Sequence, residues 1–306
     1  MLDHDRAVVQ RTGGLDLGTP FNPVFEACIA SLSALRIRRE VLTTDEIHRR
    51  FPAFRVSDGT IGLYQADAGI LPASQCVRVM IDRALYHGAV VIEQAAARSI
   101  RLDDDGADVQ TGEATYRCRK LIISAGPWAG PLLATLGMSL PLAVTLEQYA
   151  FFHAQTPEKF QPDRLPVFIH YGNPAGSQRV DNYGVPIFGH AGVKVGEHHA
   201  GPIAPADLRT FEVDAQRLRR LSNYVRTTLP ATNGEVLQAA TCLYTNTPDQ
   251  HFIIDRLSAY PHVVLAAGFS GHGFKFAILV GRILVDLATR GNTHYPIDLF
   301  TLKRFR

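Results

Sequence analysis

The sequence predicts an α/β (α+β) fold, because two kinds of region alternate along the chain. Segments 67–130 and 257–306 combine helical periodicity with short apolar runs, as in a layered α/β domain. Segment 142–241 is instead rich in Tyr, Phe, Pro and His and carries β-type runs. Its one strong helical pattern, over Asp214–Leu229, ends at Pro230. We therefore expect one α/β domain and a second domain built on an antiparallel sheet.

The composition excludes several classes of protein. A chain of 306 residues can bury a large core, and this length favours two domains. Lys+Arg minus Asp+Glu is 31 − 29 = +2, so electrostatics gives no reason to expect nucleic acid or an anionic membrane as a partner. Hydrophobic residues make up 46% and charged residues 20%, a balance that excludes disordered and fibrous chains.

The cysteines and the apolar segments indicate a cytoplasmic protein. Without a CxxC pair a zinc site is not expected, and scattered free thiols favour a reducing compartment. The cysteines are Cys28, Cys76, Cys118 and Cys242. The first ten residues are charged, unlike a signal peptide. The most apolar stretch, Phe276–Ala288, is too short to span a bilayer and contains Arg282. We expect neither a metal nor a membrane as a partner.

Start and stop signals predict the helices and strands of the first part of the chain. A capping box at Thr43-x-x-Glu46 begins one helix, which stops at Pro52, and Gly88 closes another. The predicted helices are Pro23–Leu35, the short helix after Thr43, and Ser74–His87. Asp105-Gly106 and Thr111-Gly112 are hairpin signals between β-type runs. The predicted strands are Ala7–Gln10, Ala89–Glu93, Ala97–Leu102, Ala107–Thr111, Ala114–Cys118 and, in the middle region, Ala150–His153 and Gly192–Gly196.

Two apolar runs, Leu121–Ala125 and Val263–Ala267, are typical of strands buried in a parallel sheet. The sequence Gly126-Pro127-Trp128 breaks the first, and we expect a short helix from there to Leu136. The order of helix, strand, meander and strand is typical of half of a dinucleotide-binding fold.

The last helix is predicted over Phe274–Arg290 and is closed by Gly291. Arg282, Asp286 and Arg290 form one polar stripe at a spacing of four residues. The other faces are apolar, so we expect this helix to be largely buried.

The glycine-rich loop before this helix is the strongest local signal for a ligand. Its glycines allow the backbone to approach a ligand closely, and the helix end offers free N–H groups and a positive dipole. An anionic or electron-rich group is expected there, the alternative being a tight strand-to-helix turn without a ligand. The P-loop spacing is absent. The residues are Gly268, Phe269, Ser270, Gly271, His272, Gly273, Phe274 and Lys275.

Two further groups of residues are candidates for chemistry. Cys242 is predicted to be a buried core thiol. A nucleophilic pair of Cys242 with His251 or His272 is conceivable, but no local sequence signature supports it. Lys194 and His198 alternate along a β-run and share a face. They form either an anion site or a solvated face.

At this point several motifs together resemble a known family of flavoenzymes. They are Cys242-Leu-Tyr-Thr, Asp249-Gln-His-Phe-Ile-Ile-Asp255 and Ala266-Ala-Gly-Phe-Ser-Gly-His-Gly-Phe-Lys-Phe276. This C-terminal signature is similar to that of the monomeric sarcosine oxidase and N-methyltryptophan oxidase family, within the glycine/D-amino-acid oxidase group. Leu121–Trp128 and the region from Tyr183 to His198 match in order and spacing. The resemblance therefore covers essentially the whole chain.

The resemblance implies FAD as the cofactor and assigns roles to individual residues. Cys242 would attach covalently to FAD, Lys275 would hold the substrate carboxylate, and Lys194 would activate O₂. Tyr183, His198 and Tyr244 would line the amino-acid pocket. Cofactor contacts would come from Gly126, Trp128, Gly268, Phe269, Gly271, His272, Gly273, Phe274 and Lys275. A lysine ammonium and a helix N-terminus both stabilise developing negative charge, which agrees with these roles.

The implied reaction is the oxidation of a secondary, sarcosine-like N-methyl amino acid by O₂, which gives the primary amino acid, formaldehyde and H₂O₂. The resemblance also implies that the enzyme is a monomer. The family's N-terminal GxGxxG unit is not found here. We therefore expect an N-terminally incomplete, Rossmann-like FAD-binding domain over 67–130 and 257–306, with the substrate domain over 1–66 and 131–256. For the same reason we expect these residues alone to bind FAD weakly.

Two alternatives stay open. One is a catalytically inactive or partner-completed fragment of such a flavoenzyme. The other is an amine dehydrogenase of the same fold that does not use O₂. The colour of the purified protein tests the first, and H₂O₂ release under air tests the second.

Overall fold

A computed structural model of the chain describes residues 8–20, 22–175 and 178–305. Contacts divide the chain into two compact units. Unit 1 comprises Met1–Val77, Glu147–Gly201 and Thr210–Cys242, and unit 2 comprises Arg78–Leu146, Pro202–Arg209 and Leu243–Arg306. The functional domains predicted from the sequence, whose bounds differ from these, stay a prediction.

The helices confirm the start and stop signals of the sequence. They are α1 (Pro23–Ala34), α2 (Thr44–Arg50), α3 (Ala73–Tyr86), α4 (Ala129–Ala134), α5 (Ala215–Thr228) and α6 (Ala277–Arg290). Thr43 and Glu46 form the predicted capping box of α2. The Asp214 carboxylate accepts a hydrogen bond from the Arg217 amide and caps α5. Gly291 ends α6 in the left-handed region at φ 78°.

The strands carry most of the fold. In chain order they are β1 (Gln10–Arg11), β2 (Gly14–Gly18), β3 (Glu40–Leu42), β4 (Ile61–Gln65), β5 (Gly69–Ile70), β6 (Ser99–Asp103), β7 (Gly106–Gln110), β8 (Thr115–Cys118), β9 (Leu121–Ile123), β10 (Ala143–Phe152), β11 (Val167–Ala175), β12 (Gln178–Val185), β13 (Val193–His198), β14 (Val236–Asn246), β15 (Ile253–Arg256) and β16 (Val263–Ala267). Ala7, the first residue of the earliest predicted strand, lies outside the described residues. Gln10, the last residue of that predicted strand, is the first residue of β1.

Unit 1 is built on a large mixed sheet. Its strand order is β14-β10-β13-β12-β11-β2-β4-β3. The registered pairs are antiparallel except for β2 and β11, which run parallel. One row of small and apolar residues crosses the sheet and faces the core of this unit. The row is Ala150, Val195, Gly184, Phe168 and Leu15. Helix α5 supplies Leu221, Tyr224 and Val225 to the same core.

Unit 2 contains two small sheets. In one, β16 pairs parallel with β9 and antiparallel with β15, and all five residues of β16 are buried, as predicted. Helix α6 packs on this sheet through Val280, Ile283, Leu284 and Leu287. The other sheet is the predicted meander of β6, β7 and β8. The two apolar β-runs, the meander and the last helix therefore form where the sequence predicts them.

Three predictions are corrected. Ala89–Glu93 forms no strand, and Val90 is 83% exposed, because no described strand offers it the backbone partners that a strand requires. In β9 only Ile123 is buried. Helix α6 is buried on one face only, and Ile278 is 80% exposed, although Asp286 pairs with Arg282 and Arg290 as the polar stripe predicts.

Within the described residues, no helix combines the length and the apolar character needed to cross a membrane.

Candidate active site

The face of the unit 1 sheet that lies opposite its core carries the predicted polar residues. Because side chains alternate along each strand, the residues next to the core row point to this other face. They form a second row across the sheet, paired in register. The row is Tyr149, Gly196, Tyr183, Ile169 and Asp16. Lys194 and His198 flank Gly196 at a spacing of two residues and therefore share this face.

Lys194 is half-buried and lies against an aromatic ring. Its Nζ lies 4.0 Å from the centroid of the Tyr149 ring, a cation–π contact. Burial lowers the pKa of Lys194, and the Cys242 side chain partly offsets this by raising it. Unit 1 therefore brings Lys194 and Cys242, two of the predicted residues, close together.

Tyr183 lies across Gly196. A Cβ placed on Gly196 would come within 2.6 Å of the Tyr183 hydroxyl and ring, so only glycine leaves room for the ring there. His198 pairs in register with Asp181 at the end of the same strands, and its ring centroid lies 4.0 Å from that of His199. A cavity of about 400 Å³ opens at this end, lined in part by Asp181, His198 and Arg220.

Ion pairs on the other side of β13 fix this strand against α5. Glu197, which is 3% exposed, accepts two hydrogen bonds from Arg220, at 2.6 and 2.7 Å. Arg217 of the same helix lies 3.5 Å from Glu197 and 3.4 Å from the buried Glu147. Paired in this way, the buried carboxylates hold the strand on which Lys194 and His198 lie.

In unit 2 the glycine-rich loop is shaped by its own packing. Ser270 is fully buried at φ 47°, and its amide donates to the Thr245 carbonyl at 2.9 Å. A Cβ on Gly271 would overlap the Tyr244 ring, which therefore lies directly against the loop backbone. Phe269 covers Gly273 in the same way. The structure thus brings Tyr244 together with the loop from Gly268 to Gly273.

The glycine-rich loop is followed directly by the segment that begins the last helix. A single 3₁₀ turn, Phe274–Phe276, precedes α6, and no side chain caps the N-terminus of either segment. Lys275 lies on this turn, with its Nζ 5.8 Å from the centroid of the Phe276 ring. Phe274 is 39% exposed. An uncapped helix N-terminus beside a lysine attracts negative charge.

The remaining predicted cofactor residues also lie in unit 2. Gly126 has φ 54° and no side-chain neighbour within 4 Å of where a Cβ would be, so its backbone is open to approach. Trp128 is 47% exposed, and its indole donates to Asp207 at 2.7 Å. His272 contacts the Gln250 carbonyl through Nε2 at 3.2 Å, so one of its two ring nitrogens is engaged by the backbone.

These residues fit a flavin in their chemistry. A flat aromatic ring with an electron-rich edge requires open backbone, exposed aromatic faces and positive charge. Gly126 supplies the open backbone. Trp128 and Phe274 supply the exposed aromatic faces. Lys275 and the uncapped start of α6 supply the positive charge. No group of three or more metal-ligating side chains occurs within the described residues.

Sequence reasoning missed three residues of the unit 1 face. Tyr149 contacts Lys194 from the neighbouring strand, and only the strand register reveals that contact. Asp16 and Tyr171 were also not singled out. The alternation Leu15-Asp16-Leu17 was the signal that would have placed Asp16 opposite the core.

Comparisons with known proteins show the family to which the chain belongs. The sequence model of the family described as "FAD dependent oxidoreductase" (DAO) matches residues 2–287. Monomeric sarcosine oxidase of Bacillus sp. (strain B-0618) is 33% identical over 267 residues, covering 87% of this chain and 67% of the relative. N-methyl-L-tryptophan oxidase of Escherichia coli O7:K1 is 32% identical over 308 residues, covering 99% and 79%. The structure of NikD, an unusual amino acid oxidase, superposes with a TM-score of 0.82 at 25% identity, covering 97% of this chain and 77% of NikD.

Proposed function

The chain belongs to the FAD dependent oxidoreductase (DAO) family, and we propose that it oxidises a secondary N-methyl amino acid at the expense of O₂. The observation that carries this proposal is the half-buried Lys194 ammonium, which contacts the Tyr149 ring and lies on one sheet face with Tyr183 and near Cys242. The curated relatives named above act, by their names, on sarcosine and N-methyl-L-tryptophan. We therefore expect a substrate of this class.

In the proposed reaction, one molecule each of the N-methyl amino acid, O₂ and H₂O gives the primary amino acid, formaldehyde and H₂O₂. The N-methyl carbon loses two electrons and a proton, water adds to the resulting imine, and the C–N bond then breaks. When bound, FAD accepts the two electrons from the substrate and passes them to O₂.

In this scheme the protein's own residues bind and orient the amino acid and stabilise charge on O₂. Lys275 pairs with the substrate carboxylate as a point charge. Tyr183 and His198 of unit 1 are proposed to contact the amino acid, and Tyr244 of unit 2 is proposed as a further contact residue. The Lys194 ammonium stabilises negative charge as it develops on O₂, and its aromatic neighbour favours the charged form.

Cys242 is proposed as the point of covalent attachment of FAD. Its side chain is half-buried and lies near enough to Lys194 to influence the pKa of that lysine. The open and positively charged groups of unit 2, namely Gly126, Trp128 and the loop from Gly268 to Lys275, are proposed to contact the cofactor. The protein is further proposed to act as a cytoplasmic monomer on small molecules.

The experiment that tests the function is anaerobic mixing of the FAD-loaded protein with sarcosine and with N-methyl-L-tryptophan. Bleaching of the flavin absorbance followed by H₂O₂ release on admission of air is the expected result. Bleaching without H₂O₂ would instead identify a dehydrogenase. A protein that binds FAD yet is bleached by no secondary amino acid contradicts the proposal.

A further inference from the structure

A carboxylate stands on the same sheet face as Lys194 and Tyr183. In β2, Leu15 and Leu17 are 1% and 0% exposed and belong to the core of unit 1, so Asp16 between them points to the opposite face. Asp16 pairs in register with Ile169, which pairs with Tyr183. The strand that follows, β13, carries Lys194. This face therefore has an anion towards one side and a cation towards the other.

The surroundings of Asp16 favour a charged ligand there. Tyr171 lies two residues beyond Ile169 on β11, and its hydroxyl is 3.7 Å from the Cys28 Sγ. Burial raises the pKa of Tyr171, and the Asp16 carboxylate raises it further, which places the two side chains near each other. Both Asp16 and Tyr171 are half-buried. In such surroundings a carboxylate attracts a cation more strongly than it does in water, because the effective dielectric is lower.

The spacing of the strands sets the length of ligand that fits. Neighbouring strands lie about 4.8 Å apart, so the strands of Asp16 and Tyr183 are separated by about 10 Å. The four-carbon stem and nitrogen of a lysine-like side chain reach about 6 Å. With the reacting amine at Tyr183, such a side chain brings its cationic end within reach of Asp16 and Tyr171.

From this geometry we propose that Asp16 is a specificity-determining residue, which selects secondary amino acids with a second cationic group on an extended side chain. This inference rests on the proposed function, since it assumes that the amino acid binds on the unit 1 face. Asp16 supplies the charge, and the Tyr171 hydroxyl supplies a second polar contact. Neither group takes part in the oxidation itself.

The kinetic test compares Nα-methyl-L-lysine with Nα-methyl-L-norleucine, which has a similar length and no second charge. The wild-type holoenzyme is expected to favour the cationic substrate by roughly 10- to 100-fold in kcat/KM, the contribution of one hydrogen bond to a charged group. Asp16→Asn should remove this preference, mainly by lowering kcat/KM for the cationic substrate. Asp16→Glu should retain part of it. The exposed Asp58→Asn serves as the control and should behave as wild type.

A binding measurement separates this inference from the proposed function. Calorimetry with 6-aminohexanoate and hexanoate is expected to show preference for the former in wild type and none in Asp16→Asn. Oxidation of neutral secondary amino acids with equal affinity for both probes overturns the role of Asp16 alone. Absence of both oxidation and probe binding overturns the proposed function together with it. A preference that survives in a folded Asp16→Asn protein assigns the selection to another residue and also overturns the inference.

Discussion

The ammonium nitrogen of Lys194 lies 4.0 Å from the centroid of the Tyr149 ring. Strands β10 and β13 pair Tyr149 with Gly196, and the absence of a side chain on Gly196 leaves the space above it to Tyr183. Lys194, two residues earlier on the same face, turns to Tyr149. The negative face of the ring favours the ammonium form, which burial disfavours. A half-buried lysine held in this way presents a cation whose charge is screened less than that of a fully exposed lysine.

Replacing this cation should slow one half of the reaction. Lys194→Met is expected to lower the rate of flavin reoxidation by O₂ by about 10²–10³, because a preorganised charge is lost at the site where negative charge develops. Flavin reduction by substrate should change much less. Stopped-flow measurement of the two half-reactions separates them. The exposed Lys159→Met is the matched control, and equal slowing of both half-reactions by Lys194→Met would count against the assigned role.

The same lysine should give the reoxidation rate a dependence on pH. Burial lowers its pKa from the ordinary value of about 10.4, so the ammonium loses its proton at lower pH than an exposed lysine. We expect reoxidation to be constant at low pH and to fall as the pH rises through the lowered pKa. Lys194→Met should show no such fall. A pH series of reoxidation rates checks this, and an identical profile in both proteins would contradict it.

The lowered pKa of Lys194 also makes the stability of the fold depend on pH. Between the lowered pKa of folded Lys194 and its ordinary value, the unfolded chain binds more protons than the folded protein does. The contribution of Lys194 to the free energy of unfolding therefore rises with pH across that window. Denaturant titrations of wild type and Lys194→Met at several pH values isolate this contribution.

Cys242 allows a test of the covalent bond to FAD. Cys242→Ser should remove flavin that stays with the protein after acid precipitation, while changing stability by only about 1 kcal/mol, because serine is close in size. Cys118→Ser, whose thiol lies 3.6 Å from the Ala107 carbonyl, is the control and should keep the bound flavin. Flavin that remains attached to denatured Cys242→Ser would show that the attachment point lies elsewhere.

Local features of the fold could be predicted from the sequence because short-range signals determine them. The capping box of Thr43 and Glu46, the helix that ends at Pro230, and the buried run Val263–Ala267 all form where these signals indicate. Ala89–Glu93 also contains residues that favour strands, yet it forms no strand. A strand also requires a partner strand, which the local sequence does not specify.

The candidate site could be predicted only in part, for a related reason. The motif residues Lys194 and Cys242 were found from the sequence, although their proximity was not. The contact of Lys194 with Tyr149 and the placement of Asp16 depend on the register between strands that are far apart in sequence. Register is set by the packing of the whole sheet, so the alternation Leu15-Asp16-Leu17 indicates the face of Asp16 but no local motif shows which strands lie beside it.

Lys275 is expected to act on substrate affinity. Lys275→Ala should raise KM for carboxylate-bearing amines by roughly 10-fold or more, since a point charge opposite the carboxylate is lost. Amines without a carboxylate should be unaffected. Steady-state kinetics with both kinds of substrate measures the difference, and the exposed Lys120→Ala is the control. An unchanged KM for the carboxylate substrates would argue against the assignment.

Gly271 should be the position at which the glycine-rich loop tolerates least change. Its φ of 76° lies in the left-handed region, which costs an alanine about 1–2 kcal/mol, and a Cβ there would also overlap the Tyr244 ring. Gly271→Ala is therefore expected to lower Tm and to displace Tyr244, with a loss of bound flavin. Gly281→Ala is the control, since a Cβ in that part of α6 meets no neighbour within 4 Å and should stabilise the helix by about 0.5–1 kcal/mol. Thermal unfolding gives the first effect and flavin content the second. If Gly271→Ala keeps the wild-type Tm and flavin content, the Tyr244 ring is not held against the loop backbone as the structure shows.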